Sequence, residues 1–211
     1  MEEKVQSIIE ILKQKYPDSV CALHYEKDYE LMIAVRLSAQ CTDARVNLVT
    51  PALFAAYPTL QAMSEAPVEH VEELVHSCGF YKHKARDIVL ACQMLLQKHG
   101  GKVPGTMEEL LALPGVGRKT ANLLLGDLYG VPGSVVCDTH CIRICGRLGL
   151  SQGKDPEKVE QQLRRILPPE ESNDFCHRIV LFGREVCTAR NPQCERCPLA
   201  IHCSEINKGE N

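Results

Sequence analysis

Apolar residues recur at helical spacing along almost the whole chain, and prolines and glycines interrupt them at short intervals. Val5, Ile8, Ile9 and Leu12 share one face of a first helix, which Tyr16-Pro17-Asp18 stops. Residues 29–39 (YELMIAVRLSA) form an apolar helix that reads as buried, with Asp28 as its N-cap. Further helices are expected over 43–56, 68–77, 83–98, 107–113, 118–129, 139–148, 156–166 and 171–186. The breaks fall at Tyr57-Pro58, Ala66-Pro67, Gly100-Gly101, Val131-Pro132-Gly133 and Pro168-Pro169. Strand signals are nearly absent, Val135-Val136 being too short to count, and no solenoid-like repeat is present. The expected fold class is all-α, with Val131–Gly133 as the best internal boundary.

The chain of 211 residues is long enough for one or two domains with a real core. No apolar run reaches the ~20 residues that a membrane-spanning helix needs. The opening MEEKVQSIIEILKQKY is an amphipathic helix pattern rather than a signal peptide, so a cytoplasmic location without membrane contact is expected. The net charge of −3 excludes a global basic footprint. A nucleic-acid partner would have to be met by local patches. Candidates are Lys82, Lys84 and Arg86; Arg118 and Lys119; Arg143 and Arg147; and Arg184, Arg190 and Arg196. Each alone also reads as a solvated face.

The stretch LPGVGRKT, residues 113–120, discriminates further. A dinucleotide-binding loop needs a third glycine where Thr120 stands, and a strand before it; the preceding MEELLAL is helical. A P-loop fails for want of the strand and because Arg118 is inserted before Lys119. What remains is helix, tight glycine turn, helix. Gly115 and Gly117 would permit close backbone approach and positive φ, and the second helix would start near Arg118. Unpaired N–H groups at such a start bind phosphate without reading a base. A plain αα-hairpin, with glycines that only allow tight packing, is the competing reading.

The chain has twelve cysteines, of which Cys187, Cys194, Cys197 and Cys203 form C-x6-C-x2-C-x5-C near the C-terminus. Four thiolates at such density are a metal-ligand set, suited by spacing to zinc or to a 4Fe–4S cluster. Cys21, Cys41, Cys78 and Cys92 are scattered and read as small buried hydrophobes. Asp138 precedes the helix from Thr139 and is a favoured residue type for its N-cap.

Four motifs taken together, LSAQCTD (37–43), the hairpin with Lys119, VVCDTH (135–140) and the terminal cysteines, resemble the endonuclease III family of base-excision DNA glycosylases with lyase activity. The resemblance runs in order over nearly the whole chain. It implies two helical domains flanking a cleft. One is a central six-helix domain over 22–132 with a helix-hairpin-helix at about 107–128. The other joins 1–21 to 133–211 and carries the cluster loop at 187–203.

The same resemblance implies one 4Fe–4S cluster on Cys187, Cys194, Cys197 and Cys203. It implies Lys119 as the amine that attacks the sugar, and Asp138 as the carboxylate that takes a proton and stabilises developing charge. An ordinary lysine is neutral only about once in a few thousand at pH 7. The adjacent Arg118 and the helix start would supply positive surroundings. Without the resemblance, Lys119 is a surface lysine at a helix start. Gln40 and, in GFYKHKA, Phe80 are implied to enter the duplex where the nucleotide has left. Lys82 and Lys84 are expected on the phosphates nearby. Leu113, Gly115, Val116, Gly117 and Arg118 are expected to contact DNA through the hairpin. Arg143, Arg184 and Arg190 are expected to add basic contacts. The expected partner is double-stranded DNA with a damaged base or an abasic site, bound by a monomer. The implied activity is removal of oxidised pyrimidines such as thymine glycol through a lysine Schiff base, then β-elimination. Alternatives are a glycosylase for mismatched thymine or pyrimidine dimers, or a non-enzymatic DNA-binding iron–sulfur protein. A related adenine glycosylase is disfavoured by Lys119 and by a chain ending at Asn211.

Overall fold

A computed structural model of the chain describes residues 1–206; residues 207–211 of the expected second domain lie outside them. Among the described residues there are α-helices and short 3-10 turns but no strand. The helices are α1 (Glu2–Lys15), α2 (Asp28–Ser38), α3 (Asp43–Ala56), α4 (Leu60–Ser64), α5 (Val68–Val75), α6 (Tyr81–Lys98), α7 (Met107–Leu111), α8 (Arg118–Tyr129), α9 (Thr139–Arg147), α10 (Pro156–Arg164) and α11 (Ser172–Glu185). None is long and apolar enough to cross a membrane among the described residues. The chain divides into two compact units, Cys21–Tyr129 and Met1–Val20 with Gly130–Asn211.

In the unit Cys21–Tyr129, α2 is the central element. Its residues from Tyr29 to Val35, with Leu37, are all buried, and α3, α6 and α8 pack against it. That is the environment expected of a predominantly apolar helix. Asp28 is not its N-cap. The helix begins at Asp28 and is capped from within, Glu30 Oε2 accepting from the backbone N–H of Glu26 at 2.9 Å and of Lys27 at 3.2 Å. The Asp28 carboxylate instead accepts from Val103 N–H at 3.0 Å, which ties down the loop ahead of α7. The short α4, started by Thr59 accepting from Ala62 N–H, was not expected; a single turn is too short to display a period.

In the other unit α1 packs on α11. Val5, Ile8, Ile9 and Leu12 form the buried face of α1, and Phe175, Ile179 and Phe182 that of α11. The buried Arg178 of α11 donates through Nε to the Tyr16 carbonyl at 3.2 Å and through a terminal nitrogen to Asp174 at 3.1 Å, fixing the end of α1. Helix α9 lies close on α11 because Gly183 has no side chain there: a Cβ would collide with His140 and lie 2.8 Å from Ile144 Cδ1. The segment after α11 has only 3-10 turns, at Cys194–Arg196 and Ala200–His202. It is anchored by the buried Leu199, by Ser204 N–H donating to the Arg147 carbonyl at 2.8 Å, and by a 2.9 Å hydrogen bond between Ser7 Oγ and His202 Nε2.

Candidate active site and cysteine segment

The hairpin is built from α7 and α8. Thr106 caps α7, its hydroxyl accepting from Glu109 N–H. The helix ends at Leu111, two residues before the expected Leu113. Leu113 and Val116 are both buried, and Val116 N–H donates to the Leu113 carbonyl at 3.1 Å. Their side chains anchor the turn in the core, and the Val116 amide closes it. Gly115 has φ 74°, and a Cβ there would lie 2.7 Å from Arg36 Cδ and 2.8 Å from Asp87 Oδ2. Arg36 and Asp87 form a half-buried ion pair at 2.6 Å beneath the turn. Gly117 differs from the expectation: its φ is not positive, and a Cβ would meet nothing within 4 Å. The Gly117 carbonyl accepts from Ala121 N–H at 2.9 Å, so Gly117 is the N-cap of α8.

Lys119 therefore stands in the first turn of α8, with its side chain exposed. An α-helix cannot pair the N–H groups of its first turn internally, and they give that end a partial positive charge.

Asp138 lies in the unit that contains α9. Its Oδ1 accepts from Cys141 N–H at 2.7 Å, so it caps α9, and its side chain is half-buried. Arg143 is half-buried. Its guanidinium turns inward, one terminal nitrogen reaching His140 Nδ1 at 3.1 Å, the Gly183 carbonyl at 3.3 Å and the Cys187 carbonyl at 3.0 Å. Burial pulls its pKa below the ordinary arginine value. Arg184 and Arg190 are exposed.

Gln40 and Phe80 are exposed, Phe80 by 65%. Both have left-handed backbone, φ 54° at Gln40 and φ 47° at Phe80. Lys82 is exposed, but Lys84 is not available to a phosphate. It is 1% exposed, and its Nζ donates to the carbonyls of Leu37 at 2.9 Å and Cys78 at 2.7 Å. Alternation along the first turn of α6 places Lys82 outward and Lys84 towards α2.

Cys187, Cys194, Cys197 and Cys203 line one cavity of about 170 Å³, with Arg147, Val186 and Pro192 among its other walls. Burial raises the Cys197 thiol, and the other three cysteines add to the rise. Arg147 donates to Cys187 Sγ at 3.1 Å and to the Thr188 carbonyl at 2.9 Å. Four sulfurs around one partly apolar cavity, with a cationic donor on one of them, fit a thiolate-held cluster. Among the described residues no group of three or more ligands is drawn together as a single-ion site.

Residues 33–169 match the HhH-GPD superfamily of base excision DNA repair proteins, and residues 187–203 match the iron–sulfur binding domain of endonuclease III. Endonuclease III of Synechocystis sp. is 44% identical over 201 residues, 95% of this chain and 92% of that protein. The chain belongs to the endonuclease III family. Endonuclease III of Escherichia coli (strain K12) is 40% identical over 201 residues, 95% of each protein. A solved structure of a trapped endonuclease III–DNA covalent intermediate is 41% identical, with a TM-score of 0.92, covering 100% of this chain and 99% of that one. As a member of the family the chain is a DNA glycosylase and abasic-site lyase of base excision repair, with DNA as its partner and a 4Fe–4S cluster as its cofactor.

Two supports of the hairpin and loops were not legible in the sequence. These are the Arg36–Asp87 pair under Gly115 and the inward course of Lys84. Both join residues far apart in the chain, and no local pattern marks them.

Proposed function

We propose that the chain removes oxidised pyrimidines, thymine glycol among them, from double-stranded DNA through Lys119, and then cuts 3′ to the abasic site. The observation that carries the reading is the position of Lys119. It is an exposed amine in the first turn of α8, directly after a glycine turn whose Gly117 leaves open space. A phosphate approaching that turn would meet first-turn amides and the positive end of the helix. Gly115, Gly117 and Arg118 are the hairpin residues that then serve DNA, with Lys82, Arg184 and Arg190 as outer basic contacts.

The neutral Lys119 Nζ attacks C1′ of the flipped nucleotide, and the bond from C1′ to the base breaks, the electron pair leaving with the base. The attacking nitrogen loses a proton, which the Asp138 carboxylate accepts. The C1′–O4′ bond then opens, O4′ taking that proton back from Asp138, and the iminium left between C1′ and Nζ acidifies the C2′ proton. Its removal expels the 3′ phosphate, and hydrolysis of the iminium frees Lys119. Since Lys119 is exposed in the protein alone, water is excluded around it only when DNA is seated. Cys187, Cys194, Cys197 and Cys203 would hold the 4Fe–4S cluster, which when bound cross-links a segment that has little core of its own.

Borohydride trapping tests this. Wild-type protein with a thymine glycol duplex is expected to give a covalent protein–DNA band, and Lys119→Ala none. Absence of the band with cluster-loaded wild-type protein would overturn the lysine mechanism for this lesion. A band that persists in Lys119→Ala would place the nucleophile elsewhere.

A further inference from the structure

Lys84 is among the largest fully buried side chains, and it is charged. Burying an ammonium is costly unless its partners compensate. No carboxylate among the described residues pairs with it; its partners are the carbonyls of Leu37 and Cys78. The Cys78 thiol is no counter-ion, since burial pushes it up to about 11.

The two carbonyls are not arbitrary. Leu37 is in the last turn of α2, and Cys78 ends the 3-10 turn His76–Cys78. A helix leaves its last carbonyls without an internal partner, and a cation is favourable there. Beyond each of these two ends the chain runs at once into a left-handed residue: Gln40 after Ser38 and Ala39, Phe80 after Gly79. On the other side of Phe80, Lys84 N–H donates to the Phe80 carbonyl at 3.2 Å. One buried side chain thus holds the base of both loops, and its own backbone holds one tip.

Resting on the reading that Gln40 and Phe80 enter the duplex, we infer that Lys84 is a positioning residue that fixes those two loops at one separation, so that Gln40 and Phe80 act as a single wedge. Phosphate binding is not its role. A non-glycine residue held at positive φ persists only where its surroundings over-determine it, and Lys84 supplies that constraint for two such residues at once.

The experiment uses the cluster-loaded protein and DNA with one abasic site, as a duplex and as the same single strand, with 2-aminopurine opposite the site. Lys84→Met keeps the length of the stem and removes the donors. Its cleavage rate on the duplex is expected to fall roughly ten- to a hundredfold further than its rate on the single strand, and the rise in 2-aminopurine fluorescence on binding is expected to shrink with it. In a Gln40→Ala/Phe80→Ala background, Lys84→Met is expected to add less than about twofold, because residues acting through one another are not additive. Equal losses on duplex and single strand, or a full further loss in that background, would overturn the inference. If Gln40→Ala/Phe80→Ala itself leaves duplex cleavage and fluorescence at wild-type values, the wedge reading fails, and the inference with it. Should Lys84→Met not fold, Lys84→Gln, which keeps two donors on a shorter stem, is read by the same criteria.

Discussion

Gln40 and Phe80 are the two non-glycine residues with left-handed backbone among the described residues, and both side chains face solvent. Neither conformation is supported by burial of its own side chain, Phe80 being 65% exposed. The strain therefore reads as a cost in stability borne for what the tips do. Phe80 is the sharper case for measurement. Phe80→Ala removes the ring and keeps a Cβ at φ 47°, whereas Phe80→Gly removes both. Phe80→Gly is expected to be more stable than Phe80→Ala by up to about 1 kcal/mol, the left-handed penalty outweighing the extra freedom of glycine in the unfolded chain. Both variants are expected to bind a duplex abasic site at least about tenfold more weakly. Urea denaturation and duplex titrations check the two parts separately. Phe80→Gly less stable than Phe80→Ala would show that the strain is not real.

The two hairpin glycines are expected to fail in different ways. At Gly115 a methyl group would meet the Arg36–Asp87 pair, and φ is 74°. Gly115→Ala is therefore expected to lower stability by about 1–3 kcal/mol. At Gly117 φ is ordinary for any residue and the methyl group would enter open space. Gly117→Ala is expected to leave stability within about 0.5 kcal/mol while weakening DNA binding, because the space it fills is where a phosphate would sit. Thermal melts beside duplex binding isotherms distinguish them. Wild-type binding by Gly117→Ala would remove the hairpin from the phosphate contact.

Much of this architecture was legible because it is local. Asp138 and Thr139 announce a cap and a helix, Cys187 to Cys203 announce a ligand set, and the proline and glycine breaks bound most helices. What was not legible is which way a charged residue turns once helices pack. KHKA reads as a basic surface, yet Lys84 faces α2 because the first turn of α6 lies against the end of α2. Arg143 turns inward for a like reason, Gly183 bringing α11 close enough to offer carbonyls. Gly117 looked like a left-handed glycine only because it shares a turn with Gly115. Nothing in a single sequence distinguishes these cases, and the courses of Lys84 and Arg143 are set with carbonyl partners tens of residues away.

Asp138 has two roles that separate by substitution. As a cap it needs only an oxygen that accepts from Cys141 N–H, and asparagine caps as well as aspartate. As the proton acceptor it needs a negative charge. Asp138→Asn is expected to keep stability within about 0.5 kcal/mol and to lose roughly 10²–10⁴-fold in base release. Asp138→Ala is expected to lose activity similarly and also about 1 kcal/mol of stability. Single-turnover base release with parallel denaturation curves measures both. Activity retained in Asp138→Asn would leave Asp138 as a cap alone.

Arg147 holds both ends of the cysteine segment. Its guanidinium donates to Cys187 Sγ at 3.1 Å, to the Thr188 carbonyl at 2.9 Å and to the Ala189 carbonyl at 3.3 Å, while its own carbonyl accepts from Ser204 N–H at 2.8 Å. The side-chain bonds vanish in Arg147→Met, whereas the carbonyl bond to Ser204 survives. A donor to a ligating sulfur orients that ligand and stabilises added negative charge on a cluster. Arg147→Met is therefore expected to weaken cluster retention against an iron chelator roughly ten- to a hundredfold and to move the reduction potential to more negative values. Loss of visible absorbance under chelator and protein voltammetry measure the two effects. A faster loss with no change in potential would assign Arg147 to holding the Thr188 and Ala189 carbonyls, because only the bond to sulfur acts on the charge of the cluster.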